Sequence, residues 1–361
     1  MRIAEVLGAS TGGIGRHVAS LVPRLVAQGH EVTVYCPPVT VLAHDFGAAR
    51  VEALRHLPDV ARVDVVHAHG YQAGVRALPW ARLGRTPLVV TWHNAILSSG
   101  ALLGSGRHAV AGRLLQELVA RGADLTLGAS SDLVETARAC GARRAELGPV
   151  AAPTLPAPTI PRSTYRASLG LEDADRLLVT VGRLAPQKNL GMVLDLAAFL
   201  GADPRLRFAI AGDGPLHDEL DRRVRAEGLP VRLLGRCDDV ASLLGAADGV
   251  LLTSTWEARA LVAQEALLAG VPLFSTRVGG IPELVGDAAV LFPLDDVSGA
   301  AALIRAVLED PDRLGALREA GLQRAARWPD EDRVAEDLGA TYAALVTEHA
   351  AGHSTRGRRP T

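Results

Sequence analysis

Two cations stand close together in Val181-Gly182-Arg183-Leu184-Ala185-Pro186-Gln187-Lys188-Asn189, where an apolar run ends and a helical pattern begins. Arg183 and Lys188 at the start of a helix add two full charges to the positive end of the helix dipole. That combination suits a diphosphate leaving group. A solvated basic loop would show the same residues. Lys188 is the sole lysine among 38 basic residues. An ammonium is a compact charge with rotatable donors, whereas a guanidinium is a planar fork, so the isolated lysine fits a site that does not accept the fork. Chance in an arginine-rich chain would leave the same count. The two asparagines, Asn94 and Asn189, both fall in segments of interest.

A second group of residues lies in Thr253-Ser254-Thr255-Trp256-Glu257-Ala258-Arg259-Ala260-Leu261-Val262-Ala263-Gln264-Glu265. Glu257 is expected in a loop ahead of a helix and Glu265 within it, so one carboxylate can reach a sugar and the other a ribose. The amides between them, at Ala258, Arg259, Ala260 and Leu261, can face phosphate. Paired carboxylates also serve hydrolysis, but there they usually come from separated elements flanking the bond. Gly12 and Gly13 form a glycine-rich loop that opens a helix, where free amides favour anions. The loop does not meet the G-x-G-x-x-G register of a dinucleotide site, because Val18 is not glycine. His93 and Asn94 follow the apolar run Val90-Thr91-Trp92. His67 and His69 are expected just past the preceding strand, pointing the same way. Asp173-Ala174-Asp175 has the spacing of a metal-binding DxD but stands at the amino end of a strand, and reads as a solvated turn. No metal and no other cofactor is assigned.

The elements that must position these residues alternate. Strands at Arg2–Leu7, Glu31–Cys36, Asp64–His67 and Pro87–Thr91 are interleaved with helices at Gly15–Gln28, Tyr71–Leu83 and Arg107–Arg121. Such βα repetition implies a parallel sheet with helices on both faces. The stretch 150–162 carries Pro153, Pro156, Pro158 and Pro161 and reads as a linker, after which the alternation restarts at Arg176–Val181. The expected fold class is therefore α/β, with two Rossmann-like doubly wound domains facing across a cleft. Its parts are 1–155 for the acceptor, 156–328 for the donor, a helix at 329–350 crossing back to the first domain, and a disordered tail at 351–361. A length of 361 residues agrees with two domains.

The formal net charge of −2 removes any global attraction to nucleic acid. Cys36, Cys140 and Cys237 show no paired spacing and read as reduced thiols. The first apolar run contains Glu5 and turns at Gly8, which suits a strand better than a secretory signal. A cytoplasmic protein is expected, with peripheral attachment to the inner face of the membrane left open.

With these residues assembled, the chain resembles the family 4 retaining glycosyltransferases of GT-B fold over nearly its whole length. The most specific part is Gly182-Arg183 with Gln187-Lys188-Asn189, followed by Glu257, Glu265 and Gly279-Gly280-Ile281-Pro282-Glu283. The resemblance implies that Arg183 and Lys188 bind the phosphates of a nucleoside-diphosphate sugar, Glu257 the transferred sugar and Glu265 the ribose. It also implies that Gly12 and Gly13 approach the diphosphate and that His93 lies near the reacting sugar. The chain departs from the pattern after Glu257, where small residues are usual and Ala258, Arg259 and Ala260 stand. Arg259 would either read an acidic donor or acceptor or turn outward. The acceptor, the base and the sugar have no readable code. An epimerase or hydrolase of the same architecture, a catalytically silent sugar-nucleotide binder and a nicotinamide-dependent oxidoreductase remain alternatives, the last disfavoured by the failed glycine register.

Overall fold

The computed structural model describes residues 1–54, 63–94, 107–148, 150–151, 154–201 and 203–356. The chain forms two compact units, one of Met1–Pro153 with Pro329–Thr361 and one of Thr154–Trp328. In the first unit the elements run β1 (Arg2–Leu7), α1 (Gly13–Ala27), β2 (Glu31–Cys36), α2 (Pro38–Ala43), β3 (Arg50–Ala53), β4 (Val65–His69) and α3 (Tyr71–Gly84). They continue with β5 (Leu88–Trp92), α4 (Arg107–Gly122), β6 (Leu125–Gly128), α5 (Ser131–Ala139) and β7 (Ala145–Leu147). The strands are parallel in the order β3-β2-β1-β4-β5-β6-β7, so the direction of winding reverses between β1 and β4. Central strands covered on both faces are largely apolar, and β1, β4 and β5 are buried along almost their whole length.

The second unit runs α6 (Arg162–Ser168), β8 (Arg176–Val181), α7 (Leu190–Leu200), β9 (Leu206–Ala211), α8 (His217–Glu227), β10 (Val231–Gly235) and α9 (Val240–Ala246). After these come β11 (Gly249–Leu252), α10 (Leu261–Leu268), β12 (Leu273–Thr276), α11 (Ile281–Val285), β13 (Val290–Phe292), α12 (Val297–Leu308) and α13 (Pro311–Ala325). The parallel order β10-β9-β8-β11-β12-β13 places the reversal between β8 and β11. Side chains alternate across a strand, and the core divides accordingly. Leu178, Phe208, Ile210, Leu251 and Phe274 pack with α7 and α12 on one face, while Leu177, Val179, Ala209, Val250 and Leu273 pack with α9 and α10 on the other.

The last helix, α14 (Glu331–Arg356), belongs to the first unit. Ala335, Tyr342 and Leu345 join the cluster formed by Val18, Leu21, Val22 and Leu25 of α1. Arg24 pairs with Glu331 at 3.0 Å and with Asp332 at 2.7 Å. No helix among the described residues is long and apolar enough to cross a membrane.

Several expected boundaries shift for identifiable reasons. The second unit begins at Thr154 rather than at 156, and Leu155 packs into its core. The final helix does not stop at 350. A single glycine, Gly352, weakens an established helix without ending it, and α14 continues to Arg356. Of the tail expected to be disordered, 357–361 lie outside the described residues. α1 starts at Gly13 with Gly12 as its cap, two positions ahead of the expected Gly15, so both glycines stand at the helix entrance. Asp175 is buried, accepts a hydrogen bond from the Glu172 amide at 2.8 Å, and is not the solvated turn residue expected.

Beside Asp175 lies an ion pair that fixes α6 to the second sheet. Arg166 is buried and donates to Asp248 at 3.1 Å, to the Asp175 carbonyl at 2.7 Å and to the Glu172 carbonyl at 3.0 Å. Asp248 also accepts from the Leu177 amide at 2.8 Å. A buried guanidinium deprived of its carboxylate costs far more than the intact pair contributes, so Asp248→Ala should lower unfolding free energy by about 3–5 kcal/mol. Urea denaturation of the variant and parent measures this directly.

Candidate functional site

Lys188 and Glu257 meet where the winding of the second sheet reverses. Lys188 follows β8 and Glu257 follows β11, two strands that are neighbours in the sheet although far apart in sequence. Loops at the carboxyl ends of such a strand pair are where open α/β sheets bind ligands. The Lys188 Nζ lies 2.5 Å from Glu257 Oε1, and Ser254 Oγ donates to the same oxygen at 2.6 Å. Among the described residues Oε2 of Glu257 has no hydrogen-bond partner, which leaves it as an acceptor for a ligand. The two loops are also joined through their backbones. The Thr255 amide donates to the Gln187 carbonyl at 2.8 Å, Gln187 Nε2 to the Trp256 carbonyl at 2.7 Å, and Thr253 Oγ1 to the Lys188 carbonyl at 3.0 Å.

Local conformation explains several residue types. Asn189 caps α7 with φ 47°, a left-handed conformation that asparagine tolerates better than most residues. Gly279 has φ 49°, and a Cβ there would come within 2.1 Å of the Glu257 carbonyl, to which the Gly280 amide donates at 2.8 Å. Gly212 and Gly214 lie on the neighbouring turn after β9. A Cβ at Gly212 would meet the Gly182 carbonyl oxygen at 1.8 Å, and one at Gly214 the Leu184 carbonyl oxygen at 2.5 Å. Ala211-Gly212-Asp213-Gly214 is thus more than a turn. It buttresses the Arg183 loop backbone to backbone, with the Leu184 amide donating to the Asp213 carbonyl at 2.9 Å.

The remaining expected residues of this unit are arranged differently. The Arg183 side chain is exposed and has no partner among the described residues, which leaves its fork open to an anion. Ala258 and Ala260 are buried, and Leu261 begins α10. Ala260 caps α10 with no side-chain acceptor, so the first-turn amides of that helix lack a side-chain cap. Glu265 is buried within α10. Arg259 is half-buried rather than turned fully outward. Its guanidinium lies 5.6 Å from the centre of the Trp328 ring, and burial pushes its pKa below the ordinary value against the opposing charge of Glu283. A planar cation held over an indole face is stabilised there, which explains how a bulky residue fits where small ones are usual.

The first unit holds a second polar site at its own reversal point. Glu5 lies in the middle of β1 and is completely buried. His67 and His69 lie within β4 rather than past its end, on one face because they are two residues apart, and both are buried. His93 follows β5 and contacts His69. His69 Nε2 is 2.8 Å from Glu5 Oε2, and His69 Nδ1 is 3.1 Å from His93 Nε2. Tyr342 of α14 donates to Glu5 Oε1 at 3.0 Å, and His67 joins Tyr342 at 2.5 Å to Thr91 at 2.7 Å. His17, early in α1, places its ring 5.7 Å from that of His93. Gly12 and Gly13 lie at the start of the same helix, with Ser10 Oγ accepting from the Gly15 amide at 2.9 Å. Glu5, His67 and His69 have donor atoms within 4.8 Å of one another, the types and spacing of a metal-ligand set. Every one of those atoms is engaged in a hydrogen bond of the network.

Glu5, His17 and Tyr342 were not singled out by sequence reasoning. For Glu5 a signal existed, since a carboxylate inside an apolar strand must find partners. Tyr342 had none, because its partner is hundreds of residues away.

Burial holds three of these histidines neutral. It pushes His69 down to about 4, with the neighbouring His67 charge adding and Glu5 opposing. It lowers His17 to about 3 and His93 well below the ordinary value. Glu5 behaves in the opposite sense. Burial alone would raise it, but the charge and hydrogen bond of His67 and the hydrogen bond of His69 outweigh burial and hold it far below the usual carboxylate range. Because the folded histidines titrate below their ordinary 6.5, the unfolded chain binds more protons under that pH, and stability is lost as pH falls. Each such group should cost about 1.4 kcal/mol per pH unit between its ordinary and depressed values. Urea midpoints measured from pH 7 to pH 5 should fall steadily, and less steeply for His17→Gln.

Comparison with known proteins bears on the fold and the family. Residues 161–324 match the family described as glycosyl transferases group 1, and residues 12–152 match the glycosyl transferase 4-like domain. The glycogen synthase of Mycobacterium tuberculosis is 30% identical over 96% of this chain and 92% of its own length. The D-inositol 3-phosphate glycosyltransferase of Thermobispora bispora is 31% identical over 78% of this chain and 70% of its own. The structure of Anabaena Alr3699/HepE in complex with UDP-glucose superposes with a TM-score of 0.79 at 21% identity, covering 95% of this chain and all, 100%, of that one. The two doubly wound units are those of the GT-B fold, and the chain belongs to the group 1 glycosyltransferase family.

Proposed function

We propose that the protein is a retaining glycosyltransferase that moves a sugar from a nucleoside diphosphate to an acceptor hydroxyl, with UDP as the expected nucleotide. The observation that carries this reading is the Lys188–Glu257 contact at the reversal point of the second sheet, with the unpartnered Arg183 on the same loop. The fold shared with a protein bound to UDP-glucose supports the choice of UDP.

Arg183 and Lys188 hold the diphosphate together with the uncapped amides of α10. An ammonium has three N–H donors, so Lys188 keeps Glu257 and still donates to a phosphate oxygen. Glu257 offers Oε2 to a hydroxyl of the transferred sugar, and Glu265 takes the ribose. Gly12 and Gly13 add amides toward the diphosphate, and His93 lies against the sugar. As the glycosidic bond breaks, positive charge develops on the sugar and extra negative charge on the leaving phosphate. Cations already fixed in place stabilise that separation more than they stabilise the bound donor, which is what lowers the barrier. The leaving phosphate takes the proton of the acceptor, so the reaction needs neither a protein nucleophile nor a metal. The free cysteines Cys36, Cys140 and Cys237 fit a reducing compartment and support a cytoplasmic reaction.

A thermal-shift panel of UDP-, GDP- and ADP-sugars, followed by mass spectrometry with candidate acceptors, tests the proposal. UDP-sugars should raise the melting temperature most, and a new glycoside should form only with acceptor present. Free sugar released without acceptor would contradict transfer. Lys188→Ala should lower kcat by about 10²–10³-fold with a smaller change in KM. EDTA should leave the rate unchanged.

A further inference from the structure

The geometry of the first unit points to Glu5 and His69 as positioning residues that fix the tautomer of His93, so that its Nδ1 presents a lone pair to a hydroxyl of the transferred sugar. The sugar contact rests on the proposed function; the tautomer does not.

Proton counting along the network gives the assignment. A carboxylate accepts hydrogen bonds and donates none. Glu5 Oε2 therefore receives the proton of His69 Nε2 across 2.8 Å. A neutral imidazole carries one N–H, and His69 is neutral at pH 7 because burial holds it at about 4. Its Nδ1 is consequently a lone pair. The atom facing that lone pair at 3.1 Å is His93 Nε2, which must carry the proton. His93 is also kept neutral by burial, which leaves its Nδ1 as an acceptor. Among the described residues His93 makes no other side-chain hydrogen bond.

The second branch converges on the same carboxylate. Tyr342 donates its hydroxyl proton to Glu5 Oε1, so its oxygen is free to accept from His67 Nδ1. The ionisable groups packed around His93 come from three elements and α14: Glu5 on β1, His67 and His69 on β4, His17 on α1, and Tyr342 through Glu5. Both branches point their protons toward Glu5, and the branch through His69 carries that polarity out to His93. A histidine free to choose its tautomer would offer the sugar a donor part of the time. This one offers an acceptor, which favours a donor sugar carrying a hydroxyl at that position and disfavours one carrying a carboxylate or lacking the group.

Long-range nitrogen–proton NMR of the full chain labelled with ¹⁵N-histidine, at pH 7, reads each tautomer. His93→Gln assigns its signal. The expected parent spectrum shows His93 protonated at Nε2 alone; protonation at Nδ1, or a mixture, overturns the assignment. Glu5→Gln replaces two acceptors by one acceptor and one donor. To leave no buried donor orphaned, one branch must reverse, so that either His93 becomes protonated at Nδ1 or His67 loses its Nδ1 proton. If neither changes while the melting temperature shows a folded protein, Glu5 does not set the network. Turnover of UDP-glucose, with an acceptor found by the mass-spectrometric panel, is measured on the same samples. His69→Gln should lower kcat by about tenfold or more at unchanged UDP affinity. A fixed Nε2 tautomer with undiminished turnover in His93→Ala would overturn the sugar contact and leave the tautomer relay standing.

Discussion

An ammonium and a carboxylate 2.5 Å apart, Lys188 and Glu257, are the contact around which the second unit is organised. Lys188 ends a single 3-10 turn, Pro186–Lys188, and Glu257 sits on a loop; both segments are held by groups with no chemical role of their own. Gly212 and Gly214 allow the turn after β9 to press against the backbone of Gly182 and Leu184. Gly279 allows another turn to press against Glu257. Asn189 supplies the left-handed residue through which the Lys188 turn enters α7. A charge pair at a strand end is easily lost to solvent, so its precision depends on these backbone contacts. The pair in turn keeps one oxygen of Glu257 occupied and the other open.

The first unit solves the complementary problem. It places an ionised carboxylate, Glu5, in the middle of its central strand, where a bare charge would be very costly. Tyr342, His67 and His69 satisfy it, and the requirement that they do so fixes the direction of every proton nearby. The two units share the order of six strands, β7 being an addition in the first, and place their polar residues at the same topological position, the strand pair where winding reverses. One presents cations and a carboxylate. The other presents a buried carboxylate ringed by imidazoles.

How much of this was legible in the sequence follows from the range of each interaction. Apolar periodicity and glycine turns are local, so β1, β2 and β8 stand where the sequence places them. Edge strands β3 and β7 and the short helices α2, α9 and α11 lack a sustained pattern and left little signal. Lys188 and Glu257 could be named separately, from charge and position, but their contact spans two loops that only the sheet order brings together. Arg259 shows the same limit. Its type raised the question of an acidic ligand, and its partner, Trp328, lies far along the chain at the end of the second unit. Glu5 was visible as a carboxylate in an apolar strand, while Tyr342, which completes its coordination, came from the last helix and carried no motif.

The central claim is that Lys188 grips the second phosphate of a nucleoside diphosphate, and calorimetry of UDP against UMP tests it most directly. The parent protein should bind UDP at least about tenfold more tightly than UMP, a difference of about 1.4 kcal/mol. In Lys188→Met that preference should vanish while UMP affinity is retained. A variant that still prefers UDP by the parental ratio would contradict the account.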